Sequence, residues 1–403
     1  MGAQDLDAIV LGVGTMGASA CMHLASRGAR VLGIERFGVP HERGSHHGGS
    51  RIVRECYFEG PAYVPLLLRC TPAWDALERE SAACGGPPVG TAPILHRPGV
   101  LYLGARSSAV VVASGRSGGA HGVACETLDA AGVHARFPQF HAPADWCGLF
   151  EPGAGFVRPE RAVAAFARVA RARGARIHEH ERALSWEELP GGGVRVVTDR
   201  GEHRAGALVL CAGAWTPALA AAMGVRLTPL RVVIGWYAPR DPAACASPGM
   251  PVWYIDRGEG VPGIYGIPTA PDQGEPAGVK VAMHGDGTPC DPDAPRVPAS
   301  ARELEAIRAA LEELVPCAAG AATAGSTCLY TMSPDGDFVV DRMPGCRRVF
   351  VAAGFSGHGF KFAPVVGEIL ADFVQHGTSP LPAHFLTMAR LWPRTTPSTL
   401  GPS

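Results

Sequence analysis

The segment from Asp7 to Arg36, DAIVLGVGTMGASACMHLASRGARVLGIER, decides the fold. An apolar run, Ala8 to Leu11, leads into Gly12-x-Gly14-x-x-Gly17. A helical stretch then closes near Gly28, and a second apolar run ends on Glu35. The order is strand, glycine turn, helix, strand. Glycines at these spacings permit a tight turn and a close approach of backbone to a pyrophosphate, which the positive end of the helix attracts. Glu35 stands 18 residues past Gly17, where an acid can accept hydrogen bonds from a ribose. A bare glycine triplet also occurs in ordinary connections, but strand, helix and terminal acid together mark a dinucleotide site.

Further along, GVRVVTDRGEHRAGALVLCAGAW (Gly193–Trp215) alternates like a hairpin and then enters an apolar strand. RRVFVAAGFSGHGFKFAPVVGEILADFV (Arg347–Val374) repeats the pattern of strand, glycine turn and helix. Between them lies an amphipathic helix, Ala299–Pro316, with Ser300 as its N-cap. This alternation fits two interleaved domains better than two consecutive ones. The expected class is α/β with an α+β substrate domain: a Rossmann-type domain over 1–86, 152–224 and 326–403, and a sheet-containing substrate domain over 87–151 and 225–325. The proline-rich end from Leu391, LWPRTTPSTLGPS, is expected to be a loosely held terminus.

Composition narrows the function classes. A chain of 403 residues with 47% hydrophobic content can bury a full core. The 36 basic and 37 acidic residues give a net charge of -1, so there is no global attraction for nucleic acid or an anionic membrane. The twelve cysteines show no C-x-x-C pair, which argues against a disulfide framework or a structural zinc. The uncharged run Ala205–Val225 is long enough to span a bilayer, but its glycines and Pro217 make it a strand, a turn and a short helix. Acids near the N-terminus stand where a signal peptide needs bases, so the expected location is the cytoplasm.

Three further motifs, GSHHGGSRIVR (Gly44–Arg54), STCLYTMSPDGDFVVD (Ser326–Asp341) and AAGFSGHGFKF (Ala352–Phe362), follow in order. With the N-terminal fingerprint they closely resemble the monomeric sarcosine oxidase and N-methyltryptophan oxidase family of flavoproteins. The resemblance implies FAD as cofactor in a fold of the DAO/glutathione-reductase-2 type, held covalently by a thioether to Cys328. Gly12, Gly14, Gly17, Glu35, Ser45, His46, His47, Arg51, Gly354, Gly357, Gly359 and Lys361 are implied to contact that cofactor. Arg51 would lie beneath or beside the flavin. Arg54 and Lys361 would grip a substrate carboxylate, and Tyr265 and Tyr330 would line the pocket. The family carries an acid two places after the histidine pair, where this chain has Gly49.

GVKVAMHG (Gly278–Gly285) matches a family segment with a lysine and a histidine four residues later. Alternation on a strand puts Lys280 and His284 on one face, looking into one cavity. By resemblance Lys280 activates dioxygen and His284 tunes the amine, with Arg51 and Tyr265 beside the reacting centre. Trp253 and Tyr254 fall near a flexible thioether of the sarcosine enzyme and imply a bulkier wall. His46 and His47, being adjacent and without an accompanying acid or cysteine, are not expected to bind metal. The implied activity is oxidation of secondary α-amino acids, N-methyl or cyclic, to imines by a monomer that uses dioxygen and releases hydrogen peroxide, with no nucleic-acid or membrane partner. A dehydrogenase or desaturase of a natural-product pathway and a flavin-binding protein without turnover are the alternatives.

Overall fold

A computed structural model describes residues 6–272 and 276–392, so the tail beyond 392 lies outside the described residues. Strand β1 (Ala8–Leu11), helix α1 (Thr15–Ser26) and strand β2 (Val31–Ile34) form the expected unit, and every residue of both strands is buried. Strands buried on both faces read as continuous apolar runs; here helices cover one face, while Val194 and Val196 of the strand Val194–Thr198 pack with Ile9, Leu11, Leu32 and Ile34 on the other. β1 pairs in parallel with β2 and with Leu208–Leu210. The six-stranded sheet runs in the order Val339–Arg342, Val349–Ala353, Leu208–Leu210, β1, β2, Arg176–His178. Helices Pro159–Ala172 and Ala363–His376 pack on α1. At Gly367 even a Cβ would come within 2.2 Å of the Ser19 hydroxyl, so only glycine allows this approach.

A nine-stranded sheet forms the second layer. Its longest ladder, at one edge of the sheet, pairs Thr228–Tyr237 with Ala322–Met332 in antiparallel register, from Thr228 opposite Met332 to Tyr237 opposite Ala322. The domain boundary expected at 326 therefore falls inside one unbroken strand. A continuous ladder satisfies each backbone group only if the strand stays in one sheet. Cys328, opposite Val232, thus stands on the nine-stranded sheet. Helix Ala301–Leu314 covers this sheet and opens with a reciprocal cap: the Ser300 hydroxyl accepts from the Glu303 N–H, and the Glu303 carboxylate accepts from the Ser300 N–H.

Residues 205–225 form a strand, a turn and short helical turns, as their glycines and proline imply. Among the described residues no helix is long and apolar enough to cross a membrane. All twelve cysteines are free thiols.

Candidate active site

The glycine turn explains itself atom by atom. Gly12 has φ +84, and a Cβ there would lie 2.5 Å from the Cys211 carbonyl oxygen. A Cβ on Gly17 would lie 1.8 Å from the Gly12 oxygen, so α1 can start against the turn only with glycine at that position. No side chain caps the first turn of α1, which leaves its backbone N–H groups for a ligand. The Glu35 carboxylate closes the cradle, accepting from the Val13 N–H at 2.8 Å and from the Phe37 N–H at 2.9 Å. Burial raises its pKa above the ordinary carboxylate value despite those backbone donors.

Gly12, Gly14, Glu35 and Phe37 line a cavity of about 310 Å³, together with Ser45, His46, Gly354 and Gly359. The His46 ring packs on the glycine turn, with Nδ1 3.6 Å from a Cβ placed on Gly14. An uncapped helix start, an acid at the end of β2 and a glycine-walled cavity fit FAD.

A second cavity, of about 80 Å³, shares Arg51, Tyr330, Gly357 and Phe360 with the first. Arg54, Lys361, His284, Tyr254, Tyr265 and Cys328 also line it. Gly357, at φ +83, lets the Tyr330 ring lie against the backbone, since a Cβ there would meet that ring at 2.3 Å. Arg51 donates to the carbonyls of Ser45 and His47 and reaches the Cys328 sulfur at 3.4 Å. The thiol therefore sits where the two cavities meet.

Arg54 and Lys361 both line this cavity, but Arg54 already has a carboxylate partner. Its Nη2 lies 2.5 and 2.6 Å from the two oxygens of Glu59, and its guanidinium rests on the rings of Tyr57 and Phe58, 4.3 Å from each centroid. Burial alone would raise the Glu59 carboxyl, but the Arg54 cation overrides it and holds the pKa at about 2. The buried Lys361 ammonium donates to the His358 carbonyl at 2.6 Å. Burial, then Arg54, pushes its pKa down to about 7. Sequence reasoning missed Glu59, whose only signal is an acid five residues after Arg54.

Several expectations are modified. His284 faces the smaller cavity, whereas Lys280, four residues earlier on the same strand, lines neither cavity. Its Nζ donates to the Ser50 carbonyl at 2.7 Å, so the 48–50 loop lies over it, and burial followed by Arg51 drives its pKa well below that of a free lysine. Strand periodicity sets the face of a side chain, but not what crosses that face. Trp253 is fully buried against Phe140 in the core, and Tyr254 alone of that pair reaches the cavity. At Gly49, which has no side chain, the backbone N–H is taken by Glu160 at 3.0 Å, so a carboxylate reaches this loop from the start of another helix. His47 lies 3.0 Å from Nη1 of Arg296, which also donates to the Thr327 carbonyl beside Cys328. Burial holds His46, His47 and His284 below the usual histidine pKa, favouring neutral imidazoles.

Comparison with known proteins agrees with this geometry. The family described as FAD dependent oxidoreductase matches residues 7–373. A monomeric sarcosine oxidase of Streptomyces avermitilis is 41% identical over 387 residues, covering 96% of this chain and 97% of that one. An N-methyl-L-tryptophan oxidase of Salmonella arizonae is 34% identical, covering 96% and 98%. Among solved structures, the open form of NikD, an unusual amino acid oxidase essential for nikkomycin biosynthesis, superposes with a TM-score of 0.79 at 26% identity, covering 96% of this chain and 98% of that one.

Proposed function

The chain belongs to the FAD-dependent oxidoreductase family as a sarcosine oxidase-like flavoprotein acting on CH–NH donors, and on that premise we propose that it is an oxidase of secondary α-amino acids, N-methyl or cyclic. The observation that carries this is the convergence of Arg54 and Lys361 in a cavity that shares a wall with the FAD cavity. Held by the glycine turn and Glu35, FAD would supply a two-electron acceptor for a hydride from the substrate carbon, with dioxygen as the final acceptor and hydrogen peroxide as its product.

The protein's own side chains bind and orient the amino acid. The rigid fork of Arg54 exchanges the Glu59 carboxylate for that of the substrate, and Lys361 supplies a second cation. Two grips on one carboxylate fix the α-nitrogen and the oxidisable carbon, which turns binding energy into orientation. His284, a neutral imidazole on the cavity wall, adds no positive charge there and offers the amine a hydrogen-bond partner. Tyr254, Tyr265 and Tyr330 close the apolar side. Lys280 serves dioxygen: burial beside Arg51 disfavours its charged form, so it takes up a proton as negative charge arises nearby. Cys328 is the attachment point for the flavin, supported by the position of its sulfur at the junction of the cavities. The protein acts as a cytoplasmic monomer.

Anaerobic mixing with a panel of N-methyl and cyclic amino acids tests this. At least one member should bleach the flavin absorbance, and admitting oxygen should restore it with one equivalent of peroxide. Failure of every member to bleach would overturn the proposal, and bleaching without peroxide would indicate a dehydrogenase.

A further inference from the structure

Away from both grips on the substrate, three side chains from different elements converge on one point. His178 ends the edge strand Arg176–His178 of the six-stranded sheet. Glu181 follows in the turn, and His203 lies on Gly201–Ala205 of a separate three-stranded sheet. Nδ1 of His178 is 2.8 Å from one Glu181 oxygen, and Nε2 of His203 is 2.6 Å from the other. The three candidate ligand atoms all lie within 4.8 Å of one another. We propose that His178, Glu181 and His203 bind a divalent transition cation of the zinc class, which staples the two sheets together.

The arrangement has the parts such a site needs. Two imidazoles and a carboxylate supply three ligands of a tetrahedral ion, leaving the fourth position for water. Bonds of ~2.0–2.2 Å require neighbouring ligand atoms to stand roughly 3.3 Å apart, more than the 2.8 and 2.6 Å of the two histidine–glutamate contacts and within the 4.8 Å that encloses all three atoms. Small rotations of two partly exposed rings provide that. The carboxylate is only 2% exposed, whereas the His178 and His203 side chains are 38% and 22% exposed, so the ion has an entry path and a buried anchor. A second shell is present: the Thr198 hydroxyl donates to Glu181 at 2.7 Å, and the Glu181 N–H donates to the Glu35 carbonyl at 2.8 Å.

The turn itself is unusual. His180 adopts φ +59, a left-handed conformation that non-glycine residues rarely take, and this bend brings positions 178 and 181 to one side. Glu181 is favoured in its ionised form, because hydrogen bonds from Thr198, His203 and His178 outweigh a burial effect that alone would raise its pKa. Glu181, Arg182, Ala183 and Leu184 also form a wall of the larger cavity, so an ion here would stiffen the side facing Glu35.

The test uses the purified flavoprotein after chelator treatment. Titration with zinc chloride, followed calorimetrically, should show one equivalent bound, and X-ray absorption at the zinc edge should show nitrogen and oxygen ligands only. His178→Ala and His203→Ala should each weaken binding at least ~10-fold. His203→Gln, which keeps a hydrogen-bonding amide beside Glu181 but is a poor ligand, should do the same while preserving the flavin spectrum and melting temperature. Absence of stoichiometric zinc, sulfur in the coordination shell, or undiminished binding in His203→Gln would each overturn the proposal. None of these outcomes depends on substrate turnover, so the inference stands or falls apart from the proposed oxidase activity.

Discussion

Replacing Lys361 with methionine tests the carboxylate grip where the structure makes a quantitative claim. The lysine is 4% exposed, its ammonium donates to the His358 carbonyl, and burial pushes its pKa down to about 7. A hydrogen bond between charged partners contributes about 1.5–3 kcal/mol, so loss of the ammonium should weaken binding of a carboxylate roughly 10- to 100-fold at pH 6. The pH dependence carries the sign. In the free protein the base has a depressed pKa, and only its protonated form attracts the ligand, so binding above pH 7 must bring a proton with it. Wild-type affinity should therefore fall above pH 7, by at most about tenfold per unit, until it meets that of Lys361→Met, which should stay level because Arg54 remains charged and Glu59, at about 2, remains ionised throughout. Butyrate, which has no oxidisable amine, can be titrated between pH 6 and 9 by perturbation of the flavin spectrum. Methionine matches the lysine stem in size and removes a buried charge, so the variant should keep its flavin and its melting temperature. Parallel pH profiles for the two proteins, or a loss under threefold at pH 6, would refute the assignment of Lys361 to the carboxylate.

Gly17→Ala should abolish flavin retention, because its Cβ would sit 1.8 Å from the Gly12 oxygen. The ratio of flavin to protein absorbance measures this, and full occupancy would contradict the close approach of helix and turn. Cys328→Ser should leave flavin that acid precipitation releases into solution, while wild-type flavin stays with the pellet; co-precipitation from the variant would move the attachment elsewhere. Glu151, which accepts from the N–H groups of Glu55 and Cys56 just after Arg54, has its pKa raised by burial from 4.5 to about 7. Its stabilising contribution is then complete below pH 4.5 and lost as pH rises through 7, a change of roughly 3 kcal/mol. Denaturant unfolding at pH 5 and 7.5 should show that loss in wild type and a smaller one in Glu151→Gln; equal losses would assign the slope to other groups.

Local rules reach far into this protein where the chain is its own template. The contact of Gly17 with the Gly12 oxygen and the Ser300 cap depend on groups within a few residues, so spacing alone reveals them, whereas Gly12 also answers to the Cys211 carbonyl of a distant strand. Lys280 and Trp253 show the limit. Alternation assigns a face to each, but the 48–50 loop crosses over the lysine, and the indole turns into a core built from the 140 region. Glu59 was invisible as a partner because nothing in the four intervening residues requires Arg54 to fold back upon it.

What the sequence determined by itself is the dinucleotide cradle and the identity of the chemistry-bearing groups, because turn geometry and helix starts are set by local sterics and hydrogen bonding. What the tertiary structure decided is which charges meet: Glu59 on Arg54, Glu160 at Gly49, Arg296 on His47, and His203 beside Glu181. The last three pairs join residues 22 to 249 positions apart. Their pairing depends on how strands stack and loops close, and Coulomb forces act on distance in space rather than along the chain.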